Sequence, residues 1–164
     1  MYKFARLICA GAVLGFGVIP VAEAAPILKA DAAVNRSDHV TAERRIILLA
    51  QRGNAHAQAM LGFMYENGYG VPQSYDVAVY WYLQAAEQGD PGGQYQLGLM
   101  YNKGFGVPQN LILAHTWLNL AAAHAPRRDR EYYLRIRDAV ASKMSEAQLY
   151  AAQRLAAEFV PKSR

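Results

Sequence analysis

The fold of this chain is decided by residues 53–88, GNAHAQAMLGFMYENGYGVPQSYDVAVYWYLQAAEQ, and by residues 89–124, GDPGGQYQLGLMYNKGFGVPQNLILAHTWLNLAAAH. The second stretch follows the first without a gap, and the two agree at 15 of 36 positions, including GVPQ at 70–73 and 106–109. A period of about 20 to 50 residues is typical of repeat proteins, in which each unit buries its apolar face against its neighbours. Helices in the rest of the chain are therefore predicted by counting in steps of 36 residues from these two copies.

The positions that the copies share predict a first helix, helix A, in each repeat. They recur at spacings of three, four and seven residues, which place them in one stripe along an α-helix. The members are Gln58, Leu61, Gly62 and Tyr65 in the first copy, and Gln94, Leu97, Gly98 and Tyr101 in the second. Gly68 and Gly104 then stand where a glycine in the left-handed conformation commonly ends a helix.

A second helix, helix B, is predicted after the GVPQ segment of each copy. Ala78, Trp81 and Ala85 have helical spacing, and the same residues recur 36 positions later. Ser74 is a favourable N-cap for this helix, whereas Pro72 disfavours continuation of helix A. Each repeat is therefore predicted to be an αα-hairpin, in which the shared glycines and alanines let the antiparallel helices approach closely.

The pattern LGxMYxxGxGVPQxxxxAxxWxxxAA spans residues 61–86 and again residues 97–122. This pattern resembles the Sel-one-like repeat (SLR), a relative of the tetratricopeptide repeat among the α-solenoids. The resemblance implies an all-α fold, a right-handed α/α superhelix of helical hairpins. It also implies a protein that binds other proteins or peptides and catalyses no reaction.

Residues 1–24 have the three parts of an export signal peptide. Basic residues Lys3 and Arg6 precede an apolar stretch, which ends in the A-x-A cleavage site Ala22-Glu23-Ala24. The alternative is a retained membrane anchor, but only 16 uncharged residues separate Arg6 from Glu23, fewer than the roughly 18 that a spanning helix needs. We therefore expect a mature chain that begins at Ala25, is periplasmic or secreted in a bacterium, and has no stable membrane insertion.

The repeat array is predicted to begin before the first full copy. Residues 25–37 lack periodicity and are expected to form a flexible leader. Asp38 stands 36 positions before Ser74, so residues 39–52 predict a helix B without its helix A. Together with the two full copies, the array is expected to cover residues 38–125.

Residues 126–164 depart from the repeat pattern and are predicted to form a C-terminal helical cap. A first helix carries apolar residues at helical spacing on one side. These residues are Tyr133, Ile136, Val140 and Met144. Ser145 and Gln148 then form a capping box that opens a last helix, which we expect to end near Pro161.

Positive charge is concentrated at the end of the chain. The formal net charge is +4, and residues 126–164 contain nine basic and five acidic residues. A nucleic-acid-binding face is one interpretation, but acidic residues alternate with the basic ones and packing explains the tyrosines. We favour a solvated helix face and expect no nucleic-acid partner. Attraction to anionic lipid or cell-wall polymer stays open.

Motifs for catalysis or metal binding are absent from the sequence. The four histidines include no pair at i, i+3 or i, i+4 and no HExxH motif, and the single cysteine, Cys9, lies in the signal peptide. Glu66, Asp76, Glu87 and Asp90 are expected at exposed positions and helix ends, where capping and solubility explain them. We therefore predict no catalytic residue, no cofactor and no metal site.

The candidate interaction surface is the side of helix A that lies off the packing stripe, on the concave side of the superhelix. These positions differ between the copies and are therefore free to specify a ligand. They are His56, Phe63, Glu66 and Asn67 in the first copy, and Tyr95, Leu99, Asn102 and Lys103 in the second. Phe63 and Tyr95 would be the anchors, because aromatic residues dominate binding energy at interfaces. The alternative is that Phe63 and Leu99 pack against the adjacent repeat.

The function that the sequence favours is a monomeric, exported binding module for another protein or peptide, a scaffold or adaptor in the bacterial cell envelope. The alternatives are an accessory modulator of a cell-wall enzyme and an envelope hydrolase without recognised motifs. Repeats cover most of the mature chain and leave little room for a catalytic domain.

Overall fold

Helices account for most of the computed structural model, which describes residues 42–161. In that range the chain forms seven α-helices and no strand. The helices are α1 (Ala42–Gln51), α2 (Ala55–Asn67), α3 (Tyr75–Glu87), α4 (Pro91–Lys103), α5 (Leu111–His124), α6 (Arg127–Ala141) and α7 (Glu146–Ala157). The all-α array of helical hairpins is confirmed, with α2 and α4 as the A helices and α3 and α5 as their B helices. The predicted signal peptide, the leader and the Asp38 cap lie outside the described residues.

The segment between helices A and B has the same geometry in both copies. Gly68 (φ 73°) and Gly104 (φ 74°) end α2 and α4 in the left-handed conformation, as predicted. The side-chain amide of Gln73 donates to the carbonyl of Glu66 at 2.8 Å, and the second copy repeats this bond at 2.7 Å. The bond explains why a glutamine closes the GVPQ segment in both copies.

Helices α3, α4 and α5 each begin at a side-chain cap, and the cap of α3 is the predicted Ser74. The side chains of Ser74 and Asn110 accept hydrogen bonds from backbone N–H groups in the first turns of α3 and α5. Asp90 caps α4 in the same way, and Pro91 occupies the first turn of that helix. These starting points therefore follow from local sequence.

Helices A and B approach most closely at the shared glycines. A β-carbon on Gly62 would lie 2.6 Å from the ring of Tyr82, and one on Gly98 would lie 2.8 Å from Leu118. Because both distances are shorter than van der Waals contact, only glycine fits without a shift of the side chain on the facing helix. The predicted close approach is confirmed. The core also contains both shared tryptophans, Trp81 and Trp117.

A buried glutamine joins each helix A to the helix B before it. Gln58 Nε2 donates to the carbonyl of Ala50 at 3.2 Å, and Gln94 Nε2 donates to the carbonyl of Ala86 at 3.1 Å. Both carbonyls belong to the last turn of the preceding helix. The shared glutamine at the start of each stripe thus links consecutive hairpins.

The two C-terminal helices both pack on α5. Although the sequence pattern decays, α6 begins at Arg127, 36 residues after α4 begins at Pro91, so α6 stays in the phase of the repeat. Beyond α7, the ring of Phe159 meets the indole of Trp117 edge-on, with centroids 5.4 Å apart. The pair therefore closes the core over the last B helix, as expected of a cap.

The predicted capping box of α7 is present. The Ser145 hydroxyl accepts from the backbone N–H of Gln148, whose side chain accepts from the backbone of Ser145. The helix ends at Ala157, ahead of Pro161.

The expectation that Glu87 is exposed is wrong, since only 6% of the residue is accessible to solvent. The last turn of α3 lies against the first turn of α4, where a β-carbon on Gly93 would come within 2.6 Å of Ala85. Glu87 is the last residue of α3 and follows Ala85 by two positions, so it lies next to this contact.

Candidate functional site

A groove of about 260 Å³ lies between α2 and α4. Residues at helical spacing on α2 form one wall, and the N-terminal half of α4 with its cap forms the other. The lining residues are Ile46, His56, Ala59, Met60, Phe63, Met64, Asp90, Gly92 and Gln96. The groove, named the α2/α4 groove below, therefore joins the A helices of the two repeats.

The α2 wall of this groove is apolar and exposed to solvent. Met60 and Phe63 are 41% and 44% exposed, although both are large apolar residues. The ring of Phe63 extends the surface to Tyr69, with ring centroids 5.7 Å apart. A contiguous, exposed apolar surface of this kind marks an interaction site more often than isolated apolar residues do.

The polar rim of the groove is a histidine and a carboxylate. Nδ1 of His56 lies 3.6 Å from Oδ2 of Asp90, and the side chains are 77% and 11% exposed. The other carboxylate oxygen of Asp90 accepts from the backbone N–H of Gly93 at 2.7 Å, which fixes it at the start of α4. The rim thus presents a fixed carboxylate, covered in part by an imidazole that faces solvent.

Glu66 and Asn67 make local contacts outside the groove lining. The Glu66 carboxylate accepts a hydrogen bond from the Tyr82 hydroxyl at 2.6 Å. Burial, reinforced by this bond, raises the pKa of Tyr82 far above its usual range, so the phenol stays protonated. The Asn67 side chain donates to the carbonyl of Phe63 at 2.9 Å. Of the four candidates in the first copy, only His56 and Phe63 line the groove.

In the second copy, Tyr95 belongs to a tyrosine cluster with Tyr132 and Tyr133 of α6. Its ring stacks on that of Tyr133, with centroids 4.5 Å apart and an interplanar angle of 11°. Its hydroxyl donates to the Tyr132 hydroxyl at 3.1 Å. Burial, together with this bond, raises the pKa of Tyr95. The side chain predicted as the second anchor is therefore engaged within the chain.

The other second-copy candidates also lie outside the groove lining. Leu99 is half-buried. The carbonyl of Asn102 accepts from the side chain of Gln109, and the ammonium of Lys103 lies 5.5 Å from the ring centroid of Phe105. The structure therefore does not bring these residues together with His56 and Phe63.

Sequence reasoning missed most of the groove. The missed residues are Ile46, Ala59, Met60, Met64, Asp90, Gly92 and Gln96. The pattern of one helix shows which residues lie off its packing stripe, but it does not show what faces them. One signal in the sequence could have identified Ala59. The 36-residue offset pairs it with Tyr95, and at this position the two copies differ most in side-chain volume.

Within residues 42–161, no group of three or more His, Cys, Asp or Glu side chains could hold a metal ion. No helix of the described part of the chain is long and apolar enough to cross a membrane. The groove volume of about 260 Å³ is below the roughly 300 to 1,000 Å³ of pockets that enclose drug-sized ligands. Its size suits one or two side chains of a bound polypeptide.

Comparisons with known proteins agree with this architecture. The family model of the Sel1 repeat, the repeat named SLR above, matches residues 55–90 and 91–125. A solved Sel1 repeat protein from Oxalobacter formigenes is 37% identical with a TM-score of 0.51, and the match covers 56% of this chain and 68% of that chain. No curated protein matches the chain.

A second solved structure is similar over a longer part of this chain. It is a protective antigen present in uropathogenic Escherichia coli strains, which displays an SLR fold. The identity is 26% and the TM-score 0.63, and the match covers 82% of this chain and 29% of that chain. This chain therefore spans less than a third of the length of the antigen.

The two repeat matches coincide with the hairpins α2–α3 and α4–α5. Sel1 repeat proteins generally mediate protein–protein interactions, and members of the family are typically non-catalytic scaffolds. The likeness to the Oxalobacter formigenes protein extends over two thirds of that protein at more than a third identity. This chain therefore belongs to the Sel1 repeat family.

Proposed function

We propose that this protein is a non-catalytic scaffold that holds a segment of a partner protein in the α2/α4 groove. The observation that carries the proposal is the solvent exposure of Met60 and Phe63 in the wall of a concave surface. Burial of apolar surface contributes about 25 cal/mol per Å². A partner segment that covers both side chains would therefore gain most of its binding energy there.

The anchor of this interaction is expected to be Phe63. Aromatic residues near the centre of an interface carry a large share of the binding energy. Phe63 lines the groove and its ring contacts Tyr69, so a bound segment would cover the part of the ring that Tyr69 leaves exposed. The fixed carboxylate of Asp90 at the rim would orient the segment.

The scaffold is proposed to act outside the cytoplasm, in the envelope of a bacterium or in the secreted fraction. The basic, apolar and A-x-A parts of residues 1–24 support this location. N-terminal sequencing of the protein from the envelope fraction of the bacterium that produces it should give Ala25. Recovery of the chain with Met1 intact from the cytoplasm would contradict the proposal.

The groove is tested with two matched variants, Phe63→Ala and Tyr80→Ala. Both side chains are exposed aromatics, at 44% and 42%, but Tyr80 lies on α3 and outside the groove lining. The mature chain, residues 25–164, is used as bait in an envelope extract, and the retained partner is purified. Its affinity for the unmodified bait and for each variant is then measured by calorimetry.

We expect Phe63→Ala to lower the affinity by about fivefold or more, which corresponds to about 1 kcal/mol. Tyr80→Ala should leave the affinity within about twofold. The opposite result, with loss at Tyr80 and none at Phe63, would place the binding surface on the B helices and refute the groove.

A further inference from the structure

Two tyrosines of the cluster between α4 and α6 present their hydroxyls to each other. The hydroxyl of Tyr95 donates to that of Tyr132 at 3.1 Å, and the ring centroids lie 5.8 Å apart with an interplanar angle of 50°. A bond between the ring carbons next to two phenol hydroxyls places those hydroxyls side by side and leaves the rings twisted against each other. The two rings are therefore arranged much as they would be in such a biaryl product.

Tyr133 is equally near to Tyr95 but has a different orientation. Its ring stacks on that of Tyr95, with centroids 4.5 Å apart and an interplanar angle of only 11°. Stacked rings meet through their π faces, whereas a biaryl bond lies in the planes of both rings that it joins. The cluster thus favours a bond from Tyr95 to Tyr132 over a bond from Tyr95 to Tyr133.

Tyr132 is the member of the pair that a reagent in solution can reach. It is 46% exposed, whereas Tyr95 is half-buried and its hydroxyl is held in the bond to Tyr132. Burial, together with this bond, raises the pKa of Tyr95, so its phenol keeps the proton at neutral pH. An electron therefore leaves the pair through Tyr132, and the proton that is released with it passes to water.

Other side chains offer no equivalent covalent link. The sequence has a single cysteine, Cys9, so no disulfide can form within the chain. One-electron oxidants attack tryptophan as readily as tyrosine, but Trp81 and Trp117 are buried, with 6% and 0% exposure. Among the described residues, one-electron oxidation is thus directed to the exposed tyrosines.

We infer that Tyr95 and Tyr132 form a dityrosine cross-link under one-electron oxidation, which fixes α4 to α6. The oxidant is hydrogen peroxide acting through a peroxidase. Each phenol gives up one electron and one proton and becomes a phenoxyl radical. The hydrogen bond lets Tyr95 pass its hydrogen atom to the Tyr132 radical, so the exposed Tyr132 can be oxidised a second time.

The step is balanced in atoms and electrons. The two radicals couple through the carbons next to their hydroxyls, and the hydrogen on each of these carbons moves to the oxygen, which restores both phenols. The two electrons and two protons that left the pair reduce one molecule of hydrogen peroxide to two molecules of water.

The cross-link strengthens the attachment of the C-terminal cap to the repeats. α6 packs chiefly on α5, and its backbone approaches α4 less closely than α4 approaches α2. A bond between Tyr95 and Tyr132 closes a loop of chain and removes entropy from the unfolded state, as a disulfide does. Neither tyrosine lines the α2/α4 groove, so this inference does not depend on the proposed function.

The test treats a chain of residues 25–164 with a haem peroxidase and an equal amount of hydrogen peroxide. The monomer is isolated under denaturing conditions, which removes links between two copies, and is digested with trypsin. We expect a product that joins residues 53–103 to residues 131–135 and weighs two hydrogen atoms less than their sum. A link between Tyr132 and Tyr133 would stay within one of these peptides, so it cannot be mistaken for the product.

Tyr132→Phe and Tyr133→Phe are matched variants, because each keeps a ring on α6 and removes one hydroxyl. Tyr132→Phe should abolish the joined product, and Tyr133→Phe should leave it. Tyr95→Phe should abolish it as well. The control is Tyr150→Phe, at the most exposed tyrosine of the described residues, and it should leave the product. Circular dichroism checks that each variant is folded.

The effect on stability is measured by thermal unfolding of the cross-linked monomer beside the untreated chain. The midpoint should rise by about 5 °C or more, because the unfolded chain loses entropy. Treated Tyr95→Phe should show no rise. This variant controls for oxidation elsewhere, including conversion of the exposed Met60 to its sulfoxide.

Three results would overturn the inference. Absence of the joined peptides from the oxidised monomer would show that the pair does not couple. Fragmentation that assigns the link to Tyr133, or to a tyrosine of residues 53–103 other than Tyr95, would show that the hydroxyl contact does not select the pair. This result needs no variant. An unchanged yield from Tyr132→Phe would show the same.

Discussion

The two A helices, α2 and α4, are built alike but differ in what packs on their outer faces. α2 and α4 have the same length, the same type of cap at both ends and the same glycine contact with the following helix. On α2, however, the exposed face carries Met60 and Phe63, whereas Tyr95 of α4 is stacked on α6. The difference teaches that the shared positions build the array, and that the divergent positions decide whether a face is used inside the chain or presented to solvent.

The largest expected effect breaks what the copies share. Gly62→Leu and Gly98→Leu would each force apart helices that already lie closer than a β-carbon allows, because the nearest atoms would be 2.6 and 2.8 Å away. We expect each to lower the free energy of unfolding by about 1–3 kcal/mol. The measurement is chemical denaturation of a chain of residues 25–164. Ala123→Leu, on the exposed side of α5, is the control and should change stability by less than about 0.5 kcal/mol. Equal stability of all three variants would mean that the helices do not cross at these glycines.

The next effect sharpens the difference between the two faces. Tyr95→Ala removes a stacked ring and a hydroxyl contact to α6, so it should lower stability by about 1–2 kcal/mol. Phe63→Ala removes a ring that is 44% exposed and has, among the described residues, no contact with another helix comparable to this stack, so it should cost less, about 0.5 kcal/mol. Thermal unfolding of the two variants side by side gives the ratio. A larger loss for Phe63→Ala would mean that the face of α2 is covered within the chain and that the distinction between the faces is wrong.

Most of the array was predictable from the sequence because its determinants are local. Gly68 ends a helix through its own backbone conformation, and Ser74 starts one through a bond to a residue three positions away. The tyrosine cluster was not predictable in the same way. Tyr95 lies off the packing stripe of α4, so it was expected to face a ligand, and its true neighbour is 38 positions away in Tyr133.

The candidate site was predicted only in part for a related reason. Phe63 and His56 were identified because they differ from their counterparts in the second copy. Ala59 and Gln96 were not identified, because the pattern of a single helix does not show that they line the same groove. Following the 36-residue phase beyond Ala125 would have placed Tyr132 opposite Tyr95, even though the residue pattern there has decayed.

The smallest expected effect concerns the B helices, at a position where the copies differ in charge. Val79 of α3 and His115 of α5 are equivalent and both are buried. Burial lowers the pKa of His115 below its usual value of about 6.5, and the nearby Arg137 adds to this while Asp138 opposes it. Its Nδ1 is buried without a hydrogen-bond partner among the described residues, so a proton added there would have no acceptor.

These facts fix the direction of a pH dependence for the region where α6 packs on α5. Since the pKa of His115 is lower in the folded chain than in the unfolded one, the unfolded chain binds more protons between the two values. The stability that neutral His115 allows is therefore fully present above about pH 6.5 and is lost as the pH falls through the lowered pKa. His115→Val copies the residue of the first copy and removes this titration. We expect the variant to gain stability relative to the unmodified chain as the pH is lowered from 7.5 to 5, measured by denaturant unfolding at each pH. All other titrating groups are shared by the unmodified chain and the variant, so they cancel in the comparison. If the difference in free energy of unfolding between the two stayed constant from pH 7.5 to 5, the pKa of His115 would not be lowered by folding.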